Sequence, residues 1–143
     1  MNSTAAFDYS QVIPEVLQHM ASVHSLMETY HFDQKLTHLV LLRSSQINAC
    51  GYCVQMHIRE ARRDGETNER LDRLVIWNQV DDYSKREKAA LAWTEALTRL
   101  ERDTNYSILR TNLMEHFFDQ EVGILTATIA MINLWNRIRV SGH

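Results

Sequence analysis

Turn-forming residues are scarce in this chain: one Pro and four Gly stand in 143 residues. Sandwiches and barrels need many tight turns, and those turns draw on Gly and Pro for their backbone angles. Helix interiors need neither. The scarcity points to an all-α fold, and the spacing of apolar residues agrees. Pro14 suits a first helical position, and after it Val16, Leu17, Met20, Val23 and Met27 form a stripe. Asp33 is placed to cap a second helix carrying Leu36, Leu39, Val40 and Ile47, and Asn48 to cap a third, which Gly65 would stop. Thr67 opens a fourth through Leu71, Leu74 and Val75. Ser84 and Glu87 have capping-box spacing ahead of Ala90, Trp93, Thr94, Leu97 and Leu100. Ile108, Leu109, Leu113 and Phe117 mark a shorter sixth helix.

Asp119 is placed to cap the last helix, about 20 residues long. Val122, Leu125, Ile129 and Ile132 lie on one of its faces, and Ile124, Met131, Trp135 and Ile138 on another. A helix apolar all round is buried, so this one is expected in the centre of the domain or in a subunit interface. No alternating strand pattern, repeat or linker interrupts the chain. One helical domain over residues 1–143, a bundle of about six to seven helices, is the expectation.

Composition narrows the partners. A net charge of -3 gives no electrostatic reason for nucleic acid binding, because phosphate contacts need a basic surplus. The stretch Met1 to Ser10 has no basic start and no apolar core, so no signal peptide is read there. The longest apolar stretch, near Val122 to Trp135, is short for a membrane span and is broken by Thr126, Thr128 and Asn133. A cytoplasmic protein that does not enter the membrane is the expectation. In a reducing compartment, two close cysteines are redox-active or metal-binding more often than structural.

Those cysteines belong to the segment Cys50-Gly51-Tyr52-Cys53-Val54-Gln55-Met56-His57. Cys50, Cys53, Val54, His57, Ile58 and Ala61 share one face of a helix. Neighbours on such a face have Cβ atoms roughly 5–6 Å apart. Disulfides need about 3.5–4.5 Å, so a small adjustment in the first turn lets Cys50 and Cys53 bond. Amide groups and the positive end of the helix dipole favour a thiolate there over a thiol, and CxxC cysteines can titrate well below the usual value of about 8.5. Proximity to the helix end favours Cys50 as the attacking sulfur. The spacing to His57 favours Cys53, because a base four residues on can take its proton. Two other readings use the same residues. The cysteines can be small buried hydrophobes. They can also hold zinc with His57 and His38, although structural zinc sites usually draw ligand pairs from separate loops. No cofactor and no resident metal are expected.

The stretch Leu39 to His57, with Glu60-Ala61-Arg62, Gly65-Glu66-Thr67, Glu87 to Thr98 and Asn133 to Arg137, resembles the AhpD-like alkylhydroperoxidases of the carboxymuconolactone decarboxylase superfamily. The likeness spans roughly residues 34 to 139. It implies a homo-oligomer, a trimer or a hexamer built from dimers. It implies reduction of organic hydroperoxides, with Cys53 attacking, Cys50 resolving and His57 moving protons. It also implies recharging by an external dithiol, such as a lipoyl-bearing or thioredoxin-like protein. A non-peroxidase redox sensor, a disulfide oxidoreductase or a zinc-binding protein on the same scaffold is the alternative. The chain departs from the family pattern at one place: where a relay glutamate stands twelve residues before the first cysteine, this sequence has His38. Histidine can still shuttle protons near neutral pH. Trp93 and Trp135 are candidates either for a substrate pocket or for core packing, and Asn136 and Arg137 for the last helix end or a subunit contact. His19, His24, His31 and His116 show no partner pattern.

Overall fold

A computed structural model describes residues 5–143; residues 1–4, part of the segment read as lacking a signal peptide, lie outside it. The described residues form helices and no strand. In chain order these are α1 (Tyr9–Val12), α2 (Pro14–Glu28), α3 (Gln34–Ile47), α4 (Gly51–Arg63), α5 (Asn68–Arg73), a 3-10 turn (Leu74–Gln79), α6 (Lys85–Arg99), α7 (Tyr106–Met114) and α8 (Asp119–Ser141). The short α1 is the addition to the expected helices. No helix among the described residues is long and apolar enough to cross a membrane.

Local chemistry sets most boundaries. Asp33 accepts from the Leu36 amide, Thr67 from that of Arg70, and Ser84 with Glu87 closes a capping box. Gly65 follows α4 with φ 95°, a left-handed angle that glycine adopts without strain. Two expected caps are corrected. Asn48 ends α3 instead of starting the next helix, and Cys50 itself is the N-cap of α4. Asp119 is already helical, with Phe118 as the N-cap and Glu121 accepting from its amide at 2.9 Å. The chain gains an extra turn between α3 and α4, where Ala49 takes φ 53°.

The centre of the molecule is α3, not the last helix. It packs against α4, α6 and α8. One side, Leu36 and Val40, meets Ala90 and Trp93 of α6 and Leu125 and Ile129 of α8. The other side, Leu39 and Leu42, meets Ala61, Leu71, Leu74 and Trp77. Burying apolar side chains on both sides is the main stabilising term. A buried charge also crosses to α6: Arg43 Nε donates to Glu95 at 2.8 Å, and Trp77 Nε1 donates to the same oxygen at 2.9 Å. Paired in this way, the guanidinium is not left as an uncompensated charge.

The two apolar faces of α8 have different destinations. Leu125, Ile129 and Ile132 are core, whereas Ile124, Met131, Trp135 and Ile138 line an open cleft. The far wall of that cleft is α2, none of whose residues is buried. Of the stripe read from sequence, Val16 and Val23 face solvent at 51% and 38% exposure. Leu17 and Met27 turn to the cleft, together with His24. The Trp135 indole donates to His24 at 2.8 Å and ties α2 to α8. Upstream, the Phe7 amide donates to the Gly142 carbonyl at 2.8 Å.

Candidate active site

The cysteine pair sits where the turn after α3 delivers it. Asn48 closes α3 through its amide to Ser44 at 2.9 Å, and the Cys50 amide donates to Ser45 at 3.0 Å. A polar cluster beneath fixes this turn. Asn48 Nδ2 donates to Asn133 at 2.9 Å and to Asn136 at 3.0 Å, and Asn136 Nδ2 donates to Ser45 Oγ at 3.1 Å. Asn136 is wholly buried, so its amide must be satisfied within the protein, and this cluster does so. Asn136 is thus a support of the cysteine turn, not a group at the helix end.

Cys50 and Cys53 are joined by a disulfide, with Cα atoms 5.3 Å apart. Both are buried, at 1% and 3% exposure. Cys50 Sγ accepts from the Cys53 amide at 3.4 Å, the place an N-capping oxygen would take. Both sulfurs therefore lie at the positive end of α4, with its unpaired amides. They differ in access: Cys53 lines the cleft and Cys50 does not.

His57, one turn beyond Cys53, is buried and also lines the cleft. Its Nδ1 lies 3.2 Å from a Glu60 carboxylate oxygen. Burial pushes its pKa below the ordinary histidine range, the Glu60 hydrogen bond and charge oppose this, and nearby His38 adds the least push downward. The net effect is a neutral imidazole at neutral pH, able to accept a proton. Its Nε2 is buried without a hydrogen-bond partner.

His38 is buried too and lines the same cleft. The structure therefore brings His38, Cys53 and His57 to one cavity, with Cys50 directly behind. His38 Nε2 meets Asp64 at 2.5 Å, and its Nδ1 is buried without a partner. The cleft measures about 1290 Å³. Met27, Phe32, Leu41, Met56, Met131 and Ile138 give it an apolar lining. Arg139 of α8 stands over the Tyr52 ring, 3.9 Å from its centroid, beside the start of α4. Trp135 lines the cleft, whereas Trp93 is core and donates to Thr126 at 3.0 Å. Among the described residues, no group of three or more His, Cys, Asp or Glu is arranged to hold a metal ion.

Sequence reasoning assigned no role to Glu60, Asp64 or His24. Glu60 was within reach, because a carboxylate three residues after a histidine shares its helix face. Asp64 and His24 pair with residues 26 and 111 positions away, and no local pattern signals such contacts.

Comparison with known proteins places these residues in a wider setting. Residues 14–96 match the carboxymuconolactone decarboxylase family. The uncharacterized protein YdfG of Bacillus subtilis (strain 168) is 32% identical over 133 residues, spanning 93% of this chain and 90% of YdfG. The crystal structure of ATU0492 from Agrobacterium tumefaciens has a TM-score of 0.91 and 29% identity, covering 97% of this chain and 95% of that one. ATU0492 is described as of unknown function and suggested to be the antioxidant defence protein AhpD. The debrominase Bmp8 has a TM-score of 0.75 at 19% identity, covering 87% of this chain and 67% of its own, a likeness of fold alone.

Proposed function

The chain belongs to the carboxymuconolactone decarboxylase family, and on that premise we propose that it is a thiol-dependent peroxidase reducing organic hydroperoxides through Cys53 and Cys50. One observation carries this reading: a joined cysteine pair at a helix N-terminus, with a buried, proton-accepting His57 on the same helix face, beside a cleft that is apolar over part of its lining. The antioxidant role suggested for ATU0492 points the same way.

Exposure to the cleft favours Cys53 as the attacking sulfur. In the reduced protein His57 takes the Cys53 proton, and the helix end stabilises the thiolate. The thiolate attacks the terminal peroxide oxygen. A sulfur–oxygen bond forms, the oxygen–oxygen bond breaks, and the alkoxide leaves as an alcohol with the proton held by His57. Cys53 is then a sulfenic acid. The Cys50 thiol attacks that sulfur, water leaves, and the disulfide closes. An external dithiol, of the lipoyl-bearing or thioredoxin-like class, reopens it by exchange. The apolar lining suits an alkyl substituent on the peroxide. A homo-oligomer would cover the outward apolar residues of α2, and a reducing cytoplasm would keep the pair as thiols.

Thiol counting tests the reading. Reduced protein mixed with tert-butyl hydroperoxide should fall from two thiols per chain to none. Cys53→Ser should consume no peroxide, and Cys50→Ser should trap a sulfenic acid. Two thiols persisting after prolonged exposure would reject the proposal.

A further inference from the structure

Two histidines line the cleft with Cys53, and each is coupled to a carboxylate. His57 Nδ1 meets Glu60 at 3.2 Å, and His38 Nε2 meets Asp64 at 2.5 Å. Both carboxylates are one-third exposed. Asp64 titrates below the usual carboxylate range, chiefly through its hydrogen bond with His38, so it is ionised and can only accept. The shared proton therefore sits on His38 Nε2. Gln34 Nε2 lies 3.5 Å from the same nitrogen, too long to compete with the carboxylate. In the neutral form of the ring, that placement leaves a lone pair on Nδ1. That nitrogen is buried and has no partner within the protein. A buried acceptor without a donor is costly unless a ligand completes it.

We infer that Asp64 is a positioning residue acting through His38: it holds the ring as the Nε2–H tautomer, so that Nδ1 accepts a hydrogen bond from the O–H of the hydroperoxide substrate. The assignment rests on the peroxidase reading. A hydroperoxide offers one O–H, and that group belongs to the terminal oxygen the sulfur must reach. Anchoring it at Nδ1 orients this oxygen toward Cys53. In the step itself, the hydroxyl proton stays on the oxygen that becomes the sulfenic acid. The alkoxide takes the proton that His57 removed from Cys53. His38 donates nothing in this step. The two couples thus divide the work, one moving a proton and the other holding the substrate.

The test combines ring tautomers with kinetics on reduced full-length protein. Nitrogen-15 NMR of His38 should show the Nε2–H form in the wild type. In Asp64→Asn an amide N–H faces Nε2, and the ring should shift toward Nδ1–H, turning the substrate-facing nitrogen from acceptor to donor. The kcat/KM for tert-butyl hydroperoxide should then fall about tenfold or more, the loss of a buried hydrogen bond together with a donor–donor clash. His38→Gln should fall similarly, and adding Asp64→Asn to it should cost nothing further, because the two residues act as one unit. A proton on Nδ1 in the wild type, as the Nδ1–H tautomer or as the imidazolium, would overturn the inference. So would unchanged kinetics in a variant whose ring has switched. An Asp64→Asn loss that persists in full in the His38→Gln background would reduce Asp64 to a helix-end role and also overturn it. If the wild type consumes no peroxide at all, the functional reading fails, and the substrate assigned to His38 fails with it. That outcome appears in the wild-type arm, apart from any variant.

Discussion

Two helices border the same cleft and are held in opposite ways. α3 supplies His38 and, through the turn after it, the cysteines, and it buries Leu36, Leu39, Val40, Leu42, Arg43, Ser44 and Ser45. α2 forms the opposite wall and has no fully buried residue. Its tie to α8 is the Trp135–His24 hydrogen bond, with Leu17 and Met27 facing the cleft. The wall that carries the cysteines and His38 is therefore set by the core, whereas the α2 wall is set by a few contacts at its surface. Stability and the form of the cleft draw on different residues, and substitutions can separate them.

Four measurements would break or sharpen this contrast. The largest effect is expected in the core. Leu39→Ala on α3 removes a side chain with no exposed surface, and should cost about 2–5 kcal/mol in denaturant unfolding. A loss below about 1 kcal/mol would mean that α3 is not the central support.

Asn136→Ala comes next. It strips Asn48 of one acceptor and Ser45 of a donor, for a loss of about 1–3 kcal/mol. Because this cluster sits under the cysteine turn, the redox potential of Cys50 and Cys53 should move as well. A stability loss with an unchanged potential would limit the cluster to packing.

A third effect is a slope. Burial holds the His57 pKa below its ordinary value of 6.5, so the unfolded chain binds that proton more readily than the folded one. The stability this confers is fully present above pH 6.5 and is lost as pH falls through the lower folded value. Wild type should therefore lose more stability on acidification than His57→Asn, followed by Tm across that range. Parallel curves would show that His57 is not held neutral by burial.

The smallest effect is expected on α2. Leu26 is 64% exposed, and Leu26→Ala should change the stability of an isolated chain by no more than about 0.5 kcal/mol. If analytical ultracentrifugation shows an oligomer that this change weakens, the outer face of α2 is an interface. The contrast with α3 would then hold only for the single chain.

Much of this was legible in the sequence, for local reasons. A side-chain acceptor favours a helix start within three residues of it, so Asp33, Thr67 and Ser84 could be read as caps. Cys50, Cys53 and His57 share a face because helical periodicity places them there. Asn48 misled for a related reason: asparagine suits either end of a helix, and only the left-handed turn at Ala49 decides which end it serves. The reading of α8 as apolar all round held for its composition, and its two faces part: one lies in the core and the other lines the cleft. An apolar face can meet a core or a cleft, and one chain's spacing does not distinguish them. The stripe on α2 shows the same ambiguity, since apolar periodicity marks a helix without saying what covers it.

The sequence by itself therefore determined the helical class, the cysteine pair with its histidine, and the family to which they belong. These depend on contacts within a turn or two of helix, where spacing dictates geometry. Only the tertiary structure decided that Cys53 and not Cys50 meets the cleft, that α3 lies at the centre, and that Asp64 stands against His38. Those outcomes depend on how helices distant in sequence pack together, and packing between distant segments leaves no period to read.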